Sequence, residues 1–255
     1  MNLHYKKFGS GKPLVILHGL FGMSDNWMRI SKRIAQRHTV YLPDQRNHGL
    51  SPHADEFSYS ILSQDLEEFL QQHKLDTIRL IGHSMGGKAA MCFALKYPER
   101  LEKLVIVDIA PKKYSHPFFR NLLGFMQQLN LSVYSSRVEI DDAFKEVIPN
   151  PIVRQFILKN ISRKDDHSFE WKINVPSLFK NLDNIFDEIK SNKTYNGPVL
   201  IVRGEQSDYI LDEDRADFAR LFPNNRLVTI PKAGHWLHVE AEDAFCDELK
   251  PFFIA

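Results

Sequence analysis

The chain has 255 residues, of which 43% are hydrophobic and 25% are charged, so it can bury one large core. Its 33 lysines and arginines nearly balance its 32 aspartates and glutamates, which argues against a nucleic-acid-binding or electrostatic membrane-binding surface. No apolar run can span a bilayer, and residues 1–7 lack the apolar stretch of a signal peptide. Cys92 and Cys246 have neither metal-ligand nor redox spacing, so we expect a cytoplasmic protein with reduced thiols.

Short apolar runs alternate with amphipathic helical patterns in the first 110 residues. The runs that we interpret as strands lie at 13–17, 39–42, 78–81 and 104–107. The same alternation returns near the end of the chain, with strands at 198–202 and 226–230. Continuously apolar strands separated by helices are typical of a parallel sheet covered on both faces, so the predicted class is α/β.

The alternation stops between residues 111 and 196. This segment is rich in aromatic and amide residues, and helical spacing recurs there only in pieces. It is too long to be an ordinary connection between a strand and a helix. We predict a core formed by 1–110 and 197–255, with a helical cap inserted at 111–196.

The stretch Gly82-His83-Ser84-Met85-Gly86 lies between an apolar run and a run of small, helix-forming residues. This is the Gly-x-Ser-x-Gly pattern in the strand–turn–helix context of a nucleophile elbow. The two glycines allow strand and helix to approach without a Cβ clash, and the helix N-terminus adds backbone donors. The pattern predicts that Ser84 is a catalytic nucleophile.

A serine nucleophile needs a general base and an acid that orients the base, and in this type of fold they follow the serine in the order acid, histidine. His235 follows the last predicted strand and is the candidate base. Asp108 ends the strand after the elbow helix, and Asp208 lies in the loop after the next strand. Glu205 is a third, weaker candidate. Spacing alone does not separate the two aspartates.

The oxyanion that forms during acyl transfer needs two backbone N–H donors. Met85, directly after the nucleophile, is predicted to supply one. The loop after the first long strand is predicted to supply the other, from Leu20 or, as the second choice, Phe21. We assign Phe21, Trp171 and Trp236 to the substrate site, although the cap aromatics could equally form the inner faces of cap helices.

Several longer strings make the chain resemble the α/β-hydrolase superfamily, and within it the bacterial YbfF-type esterases. They are His18-Gly19-Leu20-Phe21-Gly22, Arg46-Asn47-His48-Gly49-Leu50-Ser51, Gly82-His83-Ser84-Met85-Gly86-Gly87-Lys88-Ala89, Asp108-Ile109-Ala110-Pro111, Trp171-x-x-Asn174-x-x-x-Leu178 and Ala233-Gly234-His235-Trp236. The resemblance implies an α/β-hydrolase fold with a mostly parallel, eight-stranded sheet and a helical cap. It also implies that Asp108 is the acid, because members of this branch carry the acid in their Asp-Ile-Ala-Pro string.

We therefore expect a serine carboxylesterase that hydrolyses acyl esters through Ser84, His235 and Asp108, with Asp208 as the alternative acid. The expected partner is a small-molecule acyl ester, with acyl thioesters left open, and neither nucleic acid nor a membrane is expected. No metal and no organic cofactor is required for this chemistry. Two other functions stay open: hydrolysis of carbon–carbon bonds on the same fold, and ligand binding without catalysis.

Overall fold

A computed structural model of the chain describes residues 1–115 and 117–254. The strands are β1 Tyr5–Phe8, β2 Lys12–Leu17, β3 His38–Pro43, β4 Ile78–His83, β5 Leu101–Val107, β6 Ile161–Arg163, β7 Phe169–Trp171, β8 Val199–Gly204 and β9 Asn225–Ile230. The helices are α1 Met28–Ile34, α2 Tyr59–Gln72, α3 Met85–Lys96, α4 Pro117–Gln128, α5 Arg137–Phe144, α6 Pro151–Leu158, α7 Val175–Lys180, α8 Leu182–Phe186, α9 Arg215–Leu221, α10 Leu237–Glu240 and α11 Glu242–Ile254.

The main sheet has the strand order β1-β3-β2-β4-β5-β8-β9, and only β1 runs antiparallel to its neighbour. The mostly parallel sheet is confirmed, but the expected count of eight strands is wrong, because the described residues form seven. Strand β1 has no apolar run because it lies at the edge of the sheet and none of its residues is fully buried. Its lysines are typical of an edge strand.

The sheet separates two apolar clusters because alternate side chains of a strand point to opposite faces. Val15 and Leu17 of β2 belong to the cluster that contains α2 and α3, whereas Leu14 and Ile16 belong to the cluster that contains Trp27 and α11. Both faces of the central strands are therefore buried, which explains their continuous apolar runs. None of the described helices has the length and hydropathy of a membrane span.

The segment 111–196 contains α4 to α8 and also a feature that the sequence did not predict, the antiparallel hairpin β6-β7. Its two connections to the core meet at Lys88 of α3, whose Nζ donates to the carbonyl oxygens of Lys112 (2.8 Å) and Asp187 (2.5 Å). Burial lowers the pKa of Lys88 to about 7. The amide of Ile189 also donates to the carbonyl of Pro111 (2.7 Å), so the two connections run side by side.

Candidate active site

The register of the central strands places Ser84 beside Asp108. His83, at the end of β4, pairs with Val107, at the end of β5, so the next residue of each strand emerges at the same sheet edge. The Ser84 amide donates to the Val107 carbonyl (3.0 Å), and the Asp108 amide donates to the Val202 carbonyl of β8 (2.8 Å). The carboxyl ends of parallel strands are where open α/β sheets bind ligands.

Ser84 occupies the sharp turn between β4 and α3 with φ 53° and ψ −120°, a backbone conformation that non-glycine residues rarely adopt. Holding it there costs on the order of 1–3 kcal/mol. A Cβ on Gly82 would lie 2.3 Å from the Gly86 carbonyl oxygen, and a Cβ on Gly86 would lie 2.4 Å from the Leu17 carbonyl oxygen. Strand and helix therefore approach as closely as the elbow pattern predicts, and only glycine fits at these two positions.

Asp108 is completely buried and accepts hydrogen bonds from three groups. Its Oδ1 accepts from the Gly204 amide (3.0 Å), and its Oδ2 accepts from the Ser207 hydroxyl and from His235 Nδ1 (2.8 Å). A carboxylate can only accept, so Nδ1 of His235 carries the hydrogen in this pair. The neutral ring then leaves Nε2 as a proton acceptor, which is the tautomer that a general base requires.

Asp208, the alternative acid, is exposed at the surface, and no hydrogen bond joins it to His235 in the described residues. The Ser84 hydroxyl lines the same cavity as His235. Among the described residues, the Ser84 hydroxyl makes no hydrogen bond to His235 or to any other group. In unliganded active sites such bonds are often long and shorten when substrate binds.

Two neighbouring rings fix the position of His235. Tyr209 stacks on its imidazole with a centroid separation of 3.8 Å, and the His83 ring lies 4.7 Å away. His83 Nε2 donates to the His235 backbone carbonyl (2.9 Å), because a carbonyl can only accept. Burial, with the nearby His238 and His235, holds the pKa of His83 well below its usual range, so His83 is a neutral donor.

The loop after β2 forms a tight turn beside Ser84. The Gly22 amide donates to the Gly19 carbonyl (2.9 Å), which closes a β-turn across Leu20 and Phe21. Phe21 has φ 61°, in the left-handed region that glycine usually occupies at this turn position. Leu20 and Met85 line the cavity. Met85 is also the first residue of α3, so its amide has no partner within the helix.

A cavity of about 1240 Å³ opens over Ser84 between the core and the cap. Phe21 and Trp236, which the sequence analysis assigns to the substrate site, both line this cavity. Trp171 does not line it; its ring packs instead against Phe144 within the cap, with centroids 6.1 Å apart. Trp171, which the sequence analysis assigns to the substrate site, therefore lies outside this cavity. Most lining side chains are apolar, which is typical of a small-molecule site.

Sequence reasoning missed the supporting residues Ser207 and His83. The Ser207 hydroxyl donates to the buried carboxylate of Asp108, and its place in the loop after β8, beside the candidate Asp208, was the only signal for it in the sequence. The position of His83 directly before the nucleophile placed it near the site but did not reveal its bond to the backbone of His235. Within the described ranges, no three His, Cys, Asp or Glu side chains are grouped as a metal site would require.

A family model described as the alpha/beta hydrolase fold matches residues 12–145. The chain belongs to the α/β-hydrolase family. This α/β hydrolase is 36% identical to the sn-1-specific diacylglycerol lipase ABHD11 of Danio rerio, over 99% of its own length and 82% of that protein. It is 33% identical to Esterase YbfF of Escherichia coli strain K12, over 94% of its own length and 90% of that protein.

A solved structure, that of a marine microorganism esterase, matches this α/β hydrolase with a TM-score of 0.96 and 42% identity over 98% of both chains. The expected family and fold are confirmed. The names of the relatives agree with the expectation of a carboxylic ester hydrolase.

Proposed function

We propose that this α/β hydrolase is a serine carboxylesterase with Ser84 as nucleophile, His235 as general base and Asp108 as the acid that orients the base. The observation that carries the proposal is the hydrogen bond between His235 Nδ1 and the buried Asp108 carboxylate, at the sheet edge where Ser84 occupies a strained elbow. Asp208 lines the cavity but is exposed, and within the described residues it makes no hydrogen bond to His235, so it has no part in the proposed triad.

In the proposed mechanism, Ser84 Oγ attacks the ester carbonyl while His235 Nε2 takes the hydroxyl proton. Asp108 stabilises the imidazolium that forms, and the amides of Leu20 and Met85 donate to the developing oxyanion. His235 then returns the proton to the leaving alcohol, which leaves an acyl group on Ser84. A water molecule, deprotonated by His235, attacks the acyl-enzyme and releases the carboxylic acid.

The proposed substrate is an ester with an apolar acyl chain. The mostly apolar lining of the cavity supports this substrate class, because burial of methylene groups stabilises binding by about 0.8 kcal/mol for each group. The names of two relatives, a diacylglycerol lipase and an esterase, point to the same class of bond. An acyl thioester would react through the same steps, so the assay includes both.

The test combines labelling with kinetics. A fluorophosphonate probe should label the wild type and fail to label Ser84→Ala, and hydrolysis of p-nitrophenyl acyl esters should disappear with the label. Ser60→Ala, which removes an exposed hydroxyl of α2, is the matched control and should keep both. Equal labelling of Ser84→Ala would refute the proposal. Parallel assays with acyl thioesters and with a vinylogous diketone measure the thioester and carbon–carbon alternatives.

A further inference from the structure

Asn160 connects the cap to the loop that carries the proposed oxyanion donor. It follows α6 and is completely buried. Its Nδ2 donates to the backbone carbonyl of Phe21 (2.9 Å) and to that of Ile157 (3.1 Å). Its backbone carbonyl accepts from the amide of Lys172, the residue after β7 (2.7 Å), so the cap hairpin fixes its position. A buried asparagine that bridges two segments so distant in sequence has a constrained geometry on both sides.

Phe21, the residue that Asn160 bonds, has the left-handed backbone conformation that closes the turn around Leu20. The cap contacts it twice: Asn160 holds its carbonyl, and Phe119 of α4 stacks on its ring with centroids 6.0 Å apart. A strained residue persists only where its surroundings over-determine it. The cap therefore supplies two of the contacts that keep Phe21 in this conformation, in addition to those within the loop.

The same part of the cap also contacts the loop of the proposed base. Phe156 of α6 packs against Trp236, the residue after His235, with centroids 5.5 Å apart. Helix α6 and Asn160 therefore contact both loops that flank Ser84. The contact with Phe21 is the polar and directional one, so it can specify the orientation of a peptide group.

We infer that Asn160 is a positioning residue for the oxyanion hole. It keeps Phe21 in its left-handed conformation, and with it the Leu20 amide in place, only while the cap is seated on the core. The inference rests on the proposed function and adds to it a dependence of transition-state stabilisation on the cap. Cap and catalysis are coupled through one amide group, and the coupling acts on the chemical step rather than on access to the cavity.

The experiment compares Asn160→Leu and Asn160→Ala with the wild type, using p-nitrophenyl acyl esters. Removing an oxyanion donor outright lowers kcat by about 10²–10³. An indirect loss should lower kcat by about 10- to 100-fold, while KM stays within about twofold because the acyl site is unchanged. Affinity for an alkyl trifluoromethyl ketone, which places an oxyanion in the hole, should fall by the same factor as kcat. Affinity for the matching alkyl methyl ketone should not change.

The matched control is Asn181→Leu. Asn181 also donates a side-chain amide from the cap to a core carbonyl, but that carbonyl belongs to Asp55 (2.8 Å) and not to the turn beside Ser84. It should keep kcat and the affinity for the trifluoromethyl ketone. Thermal melting of each variant checks that the fold is retained.

A double-mutant cycle gives the sharpest outcome. Glycine adopts positive φ without steric cost, so the effect of Asn160→Leu on kcat should shrink in a Phe21→Gly background. An unchanged kcat in both Asn160 variants, equal losses of affinity for the two ketones, or an undiminished effect in the Phe21→Gly background would each overturn the inference. If wild-type protein fails the fluorophosphonate test, the proposed function fails instead, and the two failures are distinguished.

Discussion

Replacing Asp108 by asparagine (Asp108→Asn) changes one buried atom and exchanges an acceptor for a donor. The Gly204 amide donates to Oδ1 and fixes which end of the side chain must remain an oxygen. The new NH₂ group then takes the place of Oδ2, the atom that in the wild type accepts hydrogen bonds from His235 Nδ1 and the Ser207 hydroxyl. Two donors cannot face each other, so the imidazole must carry its hydrogen on Nε2 instead.

With the hydrogen on Nε2, His235 cannot accept a proton from Ser84. The loss of the correct tautomer and of the charge that stabilises the imidazolium should lower kcat by about 10⁴-fold. At about 1.4 kcal/mol for each factor of ten, this corresponds to about 5.5 kcal/mol of transition-state stabilisation. The binding site is not altered, so KM should change little.

The assay is steady-state hydrolysis of p-nitrophenyl acyl esters by Asp108→Asn, with thermal melting as a check of folding. Asp208→Asn is the matched control, because Asp208 is exposed and its substitution should alter kcat by no more than about twofold. A large loss in Asp208→Asn together with near wild-type activity in Asp108→Asn would refute the assignment of the acid.

Two further predictions concern stability. Burial lowers the pKa of His238 to about 3, against about 6.5 for an unfolded histidine, so the unfolded chain binds more protons between these values and stability falls as the pH drops through this window. His238→Phe keeps an aromatic ring on Trp27 and should remove about 2 kcal/mol of the stability loss between pH 7 and pH 5, measured by urea unfolding; an unchanged loss would contradict this. Lys88→Met leaves carbonyls of both cap connections without their donor, which should cost about 1–3 kcal/mol each and speed hydrogen exchange in those connections. The exposed Lys96→Met on the same helix should change neither quantity, and equal exchange in both variants would show that Lys88 does not stabilise the connections.

Local rules were sufficient to predict the elbow. Gly82 is required by its close approach to Gly86 within the elbow, so there the pattern and the structure have the same cause, whereas Gly86 is also required by the Leu17 carbonyl of β2. The alternation of apolar runs predicted the five inner strands for a similar reason, since burial on both faces is visible in each of those runs, and the apolar residues of 226–230 also predicted the edge strand β9. Strand β1 left no such signal because only part of it is covered.

The choice between Asp108 and Asp208 could not be made from spacing, because it depends on which strand end lies next to the loop of His235. That proximity is set by the lateral order of β5, β8 and β9 and by the positive φ (49°) of Asp108. Only the resemblance to a family favoured Asp108 beforehand. Asn160 was missed because a single amide after a short helix has no pattern of its own.

The cap hairpin and the position of Trp171 were also outside the reach of sequence patterns. Each hairpin strand is three residues long, too short to show an alternation of apolar and polar side chains. An aromatic residue in such a segment can face the cavity or the interior of the cap, and the sequence favours neither. The packing of Trp171 against Phe144 is decided by contacts between elements.

The placement of the proposed acid on β5 has a consequence for how the enzyme can be divided. The proposed nucleophile, acid and oxyanion donors all lie within residues 1–110, whereas the segment 197–255 contains the proposed base and the groups that hold it, Ser207 and Tyr209. A chain break within 111–196 therefore separates the proposed base from the proposed nucleophile, acid and oxyanion donors. Two co-expressed halves, each inert alone, would regain turnover only when they reassemble, which makes this fold a natural candidate for a split-enzyme reporter of protein association.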